Sequence, residues 1–221
     1  MSFGPTSEDL SLDAALARLS AWLAKDGQDM LETLRPGATD QELDALRVVI
    51  APHDVPPELE AMWRWHNGQQ GNPEATPRFL PLPEGNFLGT DEAIDAYRFL
   101  TEKAEPWQWC RLWIPLVHHR HSQSGVESVA EGPSVVVEAD FGATDVTIVS
   151  SSLAGLLHGA ADLYERGARH GGELRPEPLQ AIRTRSDQIG WDNWKHPRTL
   201  PHDLEAADWP VHWRTANGFA P

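Results

Sequence analysis

The side chains best suited to chemistry lie in one short run, His118-His119-Arg120-His121, with the only thiol, Cys110, a little upstream. Imidazole is a common zinc ligand, and residues two apart on a strand face the same way, so this run is the first candidate for a metal. A catalytic zinc site needs three converging protein ligands. These histidines share one local segment and have no carboxylate partner beside them, so a polar histidine-rich loop is the better account and no metal is assigned. Cys110 stands between Trp109 and Arg111. An arginine can lower a thiol's pKa, but a lone cysteine among aromatics usually behaves as a small buried hydrophobe. Ser124 and Ser150 to Ser152 lack a nucleophile elbow, and the chain has no glycine-rich phosphate loop, HExxH helix or paired-cysteine zinc signature. Glu138 and Asp140, two apart, are explained by an ordinary strand end. No catalytic residue and no cofactor is assigned.

Charge points instead to the outside of the molecule. The 221 residues include 33 acids against 18 Lys and Arg, a formal net charge of −15. Such a surface repels nucleic acid and anionic membranes and attracts a basic protein. Between residues 36 and 100 there are eleven acids and four bases, whereas residues 171 to 221 are almost balanced at seven and six. A solvated acidic face that only maintains solubility is the competing account. One cysteine allows no intrachain disulfide, and the first residues have neither a basic start nor an apolar run. The cytoplasm is the expected compartment.

The elements that position these groups are legible from periodicity and punctuation. Leu12, Leu16, Leu19 and Leu23 fall at helical spacing after a Ser11 cap and before Gly27, and a short helix follows through Met30, Leu31 and Leu34. Thr39 with Glu42 three residues on is a capping box, opening a helix with Leu43, Leu46, Val49 and Ile50 on one side and Pro52 at its end. Pro57 suits the first turn of the next helix, whose stripe is Leu59, Met62, Trp63 and His66, and Gly68 is its expected stop. Arg78 to Leu82 reads as a short strand with Pro81 at an edge. Thr90 is the expected cap of a helix carrying Ile94, Tyr97, Phe99 and Leu100, which Pro106 stops. Trp107, Trp109 and Trp113 lead into the strand Trp113 to Val117. Ser134 to Glu138 and Val146 to Val149 form a hairpin, and Ser151 or Ser152 caps a last helix running to Gly167.

Helices before and after a small, mainly antiparallel sheet define an α+β fold. Residues 1–35 read as a helical leader, 36–170 as the α+β domain, and 171–221 as an extension with six prolines and Trp191, Trp194, Trp209 and Trp213. Disordered segments are usually poor in aromatics, so this extension is expected to be laid over the domain as a strap.

Three stretches in this order carry a likeness. They are Pro36-Gly37-Ala38-Thr39-Asp40-Gln41-Glu42-Leu43 with Val55-Pro56-Pro57-Glu58-Leu59 and His66-Asn67-Gly68; Phe87-Leu88-Gly89 to Ala93-Ile94; and Trp113-Ile114-Pro115-Leu116, a hairpin, and Ser152-Leu153-Ala154-Gly155-Leu156-Leu157. Together they resemble the SUKH superfamily, in particular its Smi/Knr-like branch, over residues 36 to 166. Relatives usually have a Gly-Asp-type turn where this chain has His118 to Gly125. The resemblance implies a binding domain without catalytic machinery, often an immunity protein that neutralises a toxin, with regulatory or scaffold proteins as the other members. On that expectation Glu58, Glu60, Asp91, Glu92 and Asp95 form an acidic rim, and Trp107 and Trp109 supply aromatic anchors for a basic toxin domain such as a nuclease. The alternative of a metal- or thiol-dependent enzyme would rest on His119 or Cys110.

Overall fold

The computed structural model describes residues 11–71, 79–80, 85–104, 109–118, 122–128, 134–141, 145–150, 152–166, 169–170, 173–174 and 199–200. Trp107, His119, His121 and the four tryptophans of the C-terminal extension lie outside them, as do Arg78, Pro81, Leu82, Pro106 and Gly167.

Four helices come first. In α1 (Leu12–Lys25) the Ser11 side chain accepts from the Ala14 N–H, and α2 (Gln28–Leu31) follows directly. The Thr39–Glu42 capping box opens α3 (Asp40–Ile50), with each partner satisfying a donor of the other. Pro57 occupies the first turn of α4 (Pro57–Trp65). The sequence places the end of α4 wrongly: its cap is His66, in extended backbone, and Gly68 lies two residues beyond. Gly68 does have a positive φ of 87°. Its reason is a close approach, since a Cβ there would strike the backbone of Gly89.

The strand β1 (Asn86–Phe87) precedes α5 (Thr90–Lys103). Thr90 is the first helical residue, not the cap; Gly89 takes that position, and its N–H donates to Glu92 Oε2 at 2.9 Å. Phe79 and Leu80 are buried but belong to no strand. The Phe79 N–H donates to the Gln69 side chain, and its carbonyl accepts from the Tyr164 hydroxyl.

A meander then follows of β2 (Trp113–His118), β3 (Ser122–Glu127), β4 (Val136–Asp140) and β5 (Asp145–Ser150). The expected β4–β5 hairpin is present. Of the stretch expected to be a loop from His118 to Gly125, His118 ends β2 and Ser122 to Gly125 lie in β3, while residues 119–121 lie outside the described residues. After α6 (Leu153–Glu165), capped by Ser152, come a small hairpin of β6 (Arg169–His170) and β7 (Glu173–Leu174), and β8 (Thr199–Leu200). The main sheet runs β1-β2-β3-β4-β5-β8, antiparallel throughout, so the protein is α+β.

Alternation along the strands divides the interior in two. Ile114, Leu116, Val126 and Val136 face the main core, where the leucines of α1 meet α4 and α6, and Trp22 stacks on Tyr164 with ring centroids 4.4 Å apart. Trp113, Val135, Val137 and Ala139 face a second cluster with Leu100, Trp109 and Cys110. Leucines alone do not fix α1 in place. Arg18 donates to both oxygens of Glu165 and to Asp162, and also contacts His158 Nδ1, while His158 Nε2 lies 3.0 Å from the Ser11 carbonyl.

Replacing Gly68 by alanine combines an unfavourable φ with a backbone collision. The expected loss is more than about 1 kcal/mol of unfolding free energy, read from urea denaturation. A wild-type midpoint would show that the Gly68–Gly89 approach carries no strain-sensitive packing.

Candidate interaction surface

The acidic residues singled out in the sequence occupy two settings. One begins with the seam where three chain segments meet. The Arg35 N–H donates to the Gly68 carbonyl, the Asn67 N–H to Pro36, and the Gln69 N–H to Phe87, all between 2.8 and 3.0 Å. Asn67 completes the seam with its side chain, accepting from the Thr90 N–H at 2.8 Å and donating to Glu42. The His66-Asn67-Gly68 turn is thus committed to holding α3, α4 and α5 together.

Arg35 lies over this seam, three-quarters buried, with its guanidinium 2.8 Å from Glu92 and 3.0 Å from Asp91. Both carboxylates sit in the first turn of α5, where the helix dipole also favours negative charge. Asp91 is held below its ordinary range: burial, the largest single influence, pushes it up, and the Arg35 hydrogen bond and charge together with the backbone N–H groups of Glu92 and Asp91 outweigh it. Glu60 is likewise depressed, first by its hydrogen bond to Arg47, then by Arg64. Arg47 also holds Asp44, and Arg64 also holds Asp40. Glu60, Asp91 and Glu92 are therefore engaged within the molecule, and a partner would have to compete with or extend those ion pairs.

Glu58 differs from the rest. It is half-buried in the first turn of α4, one of its carboxylate oxygens is buried with no hydrogen-bond partner, and burial pushes its pKa up. Of the expected acidic rim, Glu58 is a member set partly inside the molecule. Asp95 is exposed on α5, and no cation pairs with it among the described residues.

Of the two expected aromatic anchors, Trp107 lies outside the described residues and Trp109 is buried. Trp109 is only 3 % exposed and packs edge-on against Trp113, with centroids 5.5 Å apart. Gly125 lies beneath it, where a Cβ would crowd the indole. Trp109 is therefore part of the second core cluster, beside the buried Cys110. Among the described residues the exposed large aromatic is Phe99, at 63 %. Its spacing from Tyr97 is the signal that reveals it: residues two apart on a helix diverge by about 200°, so both cannot share the buried stripe.

His118 Nδ1 lies 3.0 Å from the Gln123 side chain across the β2–β3 pair. Among the described residues no group of three or more His, Cys, Asp or Glu is arranged to hold a metal ion, and no helix is long and apolar enough to cross a membrane.

No known protein family matches this chain, and no curated protein matches it with significance.

Glu58 yields a pH test. Its folded-state pKa is raised, so the native protein holds the proton more tightly and stability falls as pH rises from the ordinary carboxylate range through the raised value. Glu58→Gln should raise the melting temperature at neutral pH and show no gain below the ordinary carboxylate range. A difference independent of pH would show that burial of the charge is not what Glu58 contributes.

Proposed function

We propose that this chain is a non-catalytic protein-binding domain of SUKH-like, Smi/Knr-like organisation. Its role on this reading is that of a cytoplasmic immunity protein that covers a basic toxin domain, such as a nuclease. The observation that carries the proposal is the outward display of carboxylates on α3 and α5, within a chain of net charge −15. Complementary charge raises encounter rates and selects against wrong partners. It also matches the surface with which a nuclease holds its anionic substrate. The stretches that carry the family resemblance supply α3, α4, the start of α5, β2 and α6, and of these α3 and β2 pack directly on α5.

Co-expression tests this directly. Cells producing the toxin encoded beside this gene should recover growth when the chain is supplied, and the purified pair should associate more weakly as salt is raised. Failure to rescue growth from any neighbouring toxin would remove the immunity reading.

A further inference from the structure

Val48, at 77 %, and Phe99, at 63 %, are the large apolar side chains left exposed among the described residues. Val48 is on α3 and Phe99 on α5, two helices that start together at the Asn67 seam and pack on each other. On α5 the buried residues Thr90, Ala93, Tyr97 and Leu100 define the inward face, and Phe99 points away from it. The exposed surface around Phe99 is mixed in sign, with Asp95 and Glu102 against Arg98 and Lys103. None of these four forms an ion pair among the described residues. On a chain of net charge −15, this is a face of balanced charge with a phenyl ring at its centre.

The order of those charges selects the occupant. Asp95 is four residues before Phe99 and Lys103 four after. They therefore stand about 6 Å to either side of it along the helix and about 40° to either side of it around the helix. A half-turn about a line through Phe99, perpendicular to α5, exchanges those two positions. When that rotation lays α5 antiparallel on a second α5, each Asp95 comes opposite the Lys103 of the other copy, and the two Phe99 rings meet on the axis. Glu102, three residues after Phe99, comes opposite Ala96, three before it, and Arg98 and its equivalent lie on opposite edges of the contact. No like charges are set against each other.

We infer that the α5 face centred on Phe99 is a self-association surface, on which a second copy of this chain docks antiparallel through the two Phe99 rings and two Asp95–Lys103 ion pairs. This goes beyond the binding function proposed above and does not depend on it. The rings supply affinity, since an aromatic buried at the centre of a contact is its usual source. Exposed ion pairs add little strength and instead set register and direction. Elsewhere two such acidic copies repel each other, and screening beyond about 8 Å at physiological ionic strength lets this balanced face make contact. One helix face buries little area, so the dimer is a weak one.

Sedimentation equilibrium of the full chain at physiological salt, from micromolar to millimolar concentration, tests this. The wild type should pass from monomer to dimer mass as concentration rises. Phe99→Ser should weaken association by about fivefold or more, and Phe99→Leu should retain most of it. Asp95→Lys and Lys103→Asp, each alone, place like charges across the axis and should weaken it as well. Mixed in equal amounts, those two variants should associate with each other, because each supplies the charge that the other lacks. The double variant Asp95→Lys/Lys103→Asp should recover self-association. Rescue on mixing is an outcome that a merely structural effect would not give, and thermal melts matching the wild type show the variants folded. A wild type that stays monomeric throughout, association unchanged in Phe99→Ser, or charge reversals that mixing does not rescue would overturn the inference. Growth rescue on co-expression decides the immunity reading and sedimentation decides this contact, so either can fail without the other.

Discussion

Two peptide backbones in contact, at Gly68 and Gly89, set the relation between the helical half of the molecule and its sheet. Neither position has room for a Cβ: at Gly68 it would meet the Gly89 backbone, and at Gly89 it would meet the Arg35 guanidinium and the Asn67 carbonyl. Because these segments touch, Asn67 can reach the Thr90 N–H and the Gln69 N–H can reach the Phe87 carbonyl. One further link, from the Trp63 indole to the Leu88 carbonyl, and from the Leu88 N–H to Leu116, ties α4 through this seam to β2. The direction in which α5 leaves the seam follows from these bonds.

The same seam sorts the negative charge into two populations. Carboxylates near Arg35, Arg47 and Arg64 are neutralised locally and hold helices in place. Those farther along α5, past its first turn, meet no such cation among the described residues. A formal charge distributed evenly would give a diffuse field. Asp95 and Glu102, farther along α5, share its outer face with Arg98, Lys103 and the exposed Phe99.

Where the sequence was informative, a side chain had a single local task. Ser11, the Thr39–Glu42 pair, Pro57 and Ser152 each act on backbone within three residues of themselves, and each helix start they imply is present. It misled where the decisive contact is distant. β3 has the composition of a loop, Ser122-Gln123-Ser124-Gly125, yet its middle is buried, because Gln123 satisfies the Val117 and Ser124 carbonyls and Gly125 makes room for Trp109. Nothing local in those four residues signals either partner. Gly68 is similar: its left-handed conformation was legible as a helix stop, but its use is the approach to Gly89, twenty-one positions on. Trp109 looked like an anchor because aromatic residues favour interfaces, and the second core cluster that encloses it is built from strands far along the chain.

The Arg18 clasp between α1 and α6 has a consequence for uniqueness. The stripe Leu12, Leu16, Leu19 and Leu23 repeats at nearly even steps, so apolar packing alone would tolerate sliding α1 by one helical turn, about 5.4 Å. Such a slip would carry the guanidinium away from Asp162 and Glu165 and strand His158 without the Ser11 carbonyl. Glu165 is exposed and its pair contributes little, but losing the partners of the more buried Asp162 and His158 disfavours the slip. The clasp acts as a ratchet stop, selecting one seating of the first helix from several that the leucines by themselves would accept.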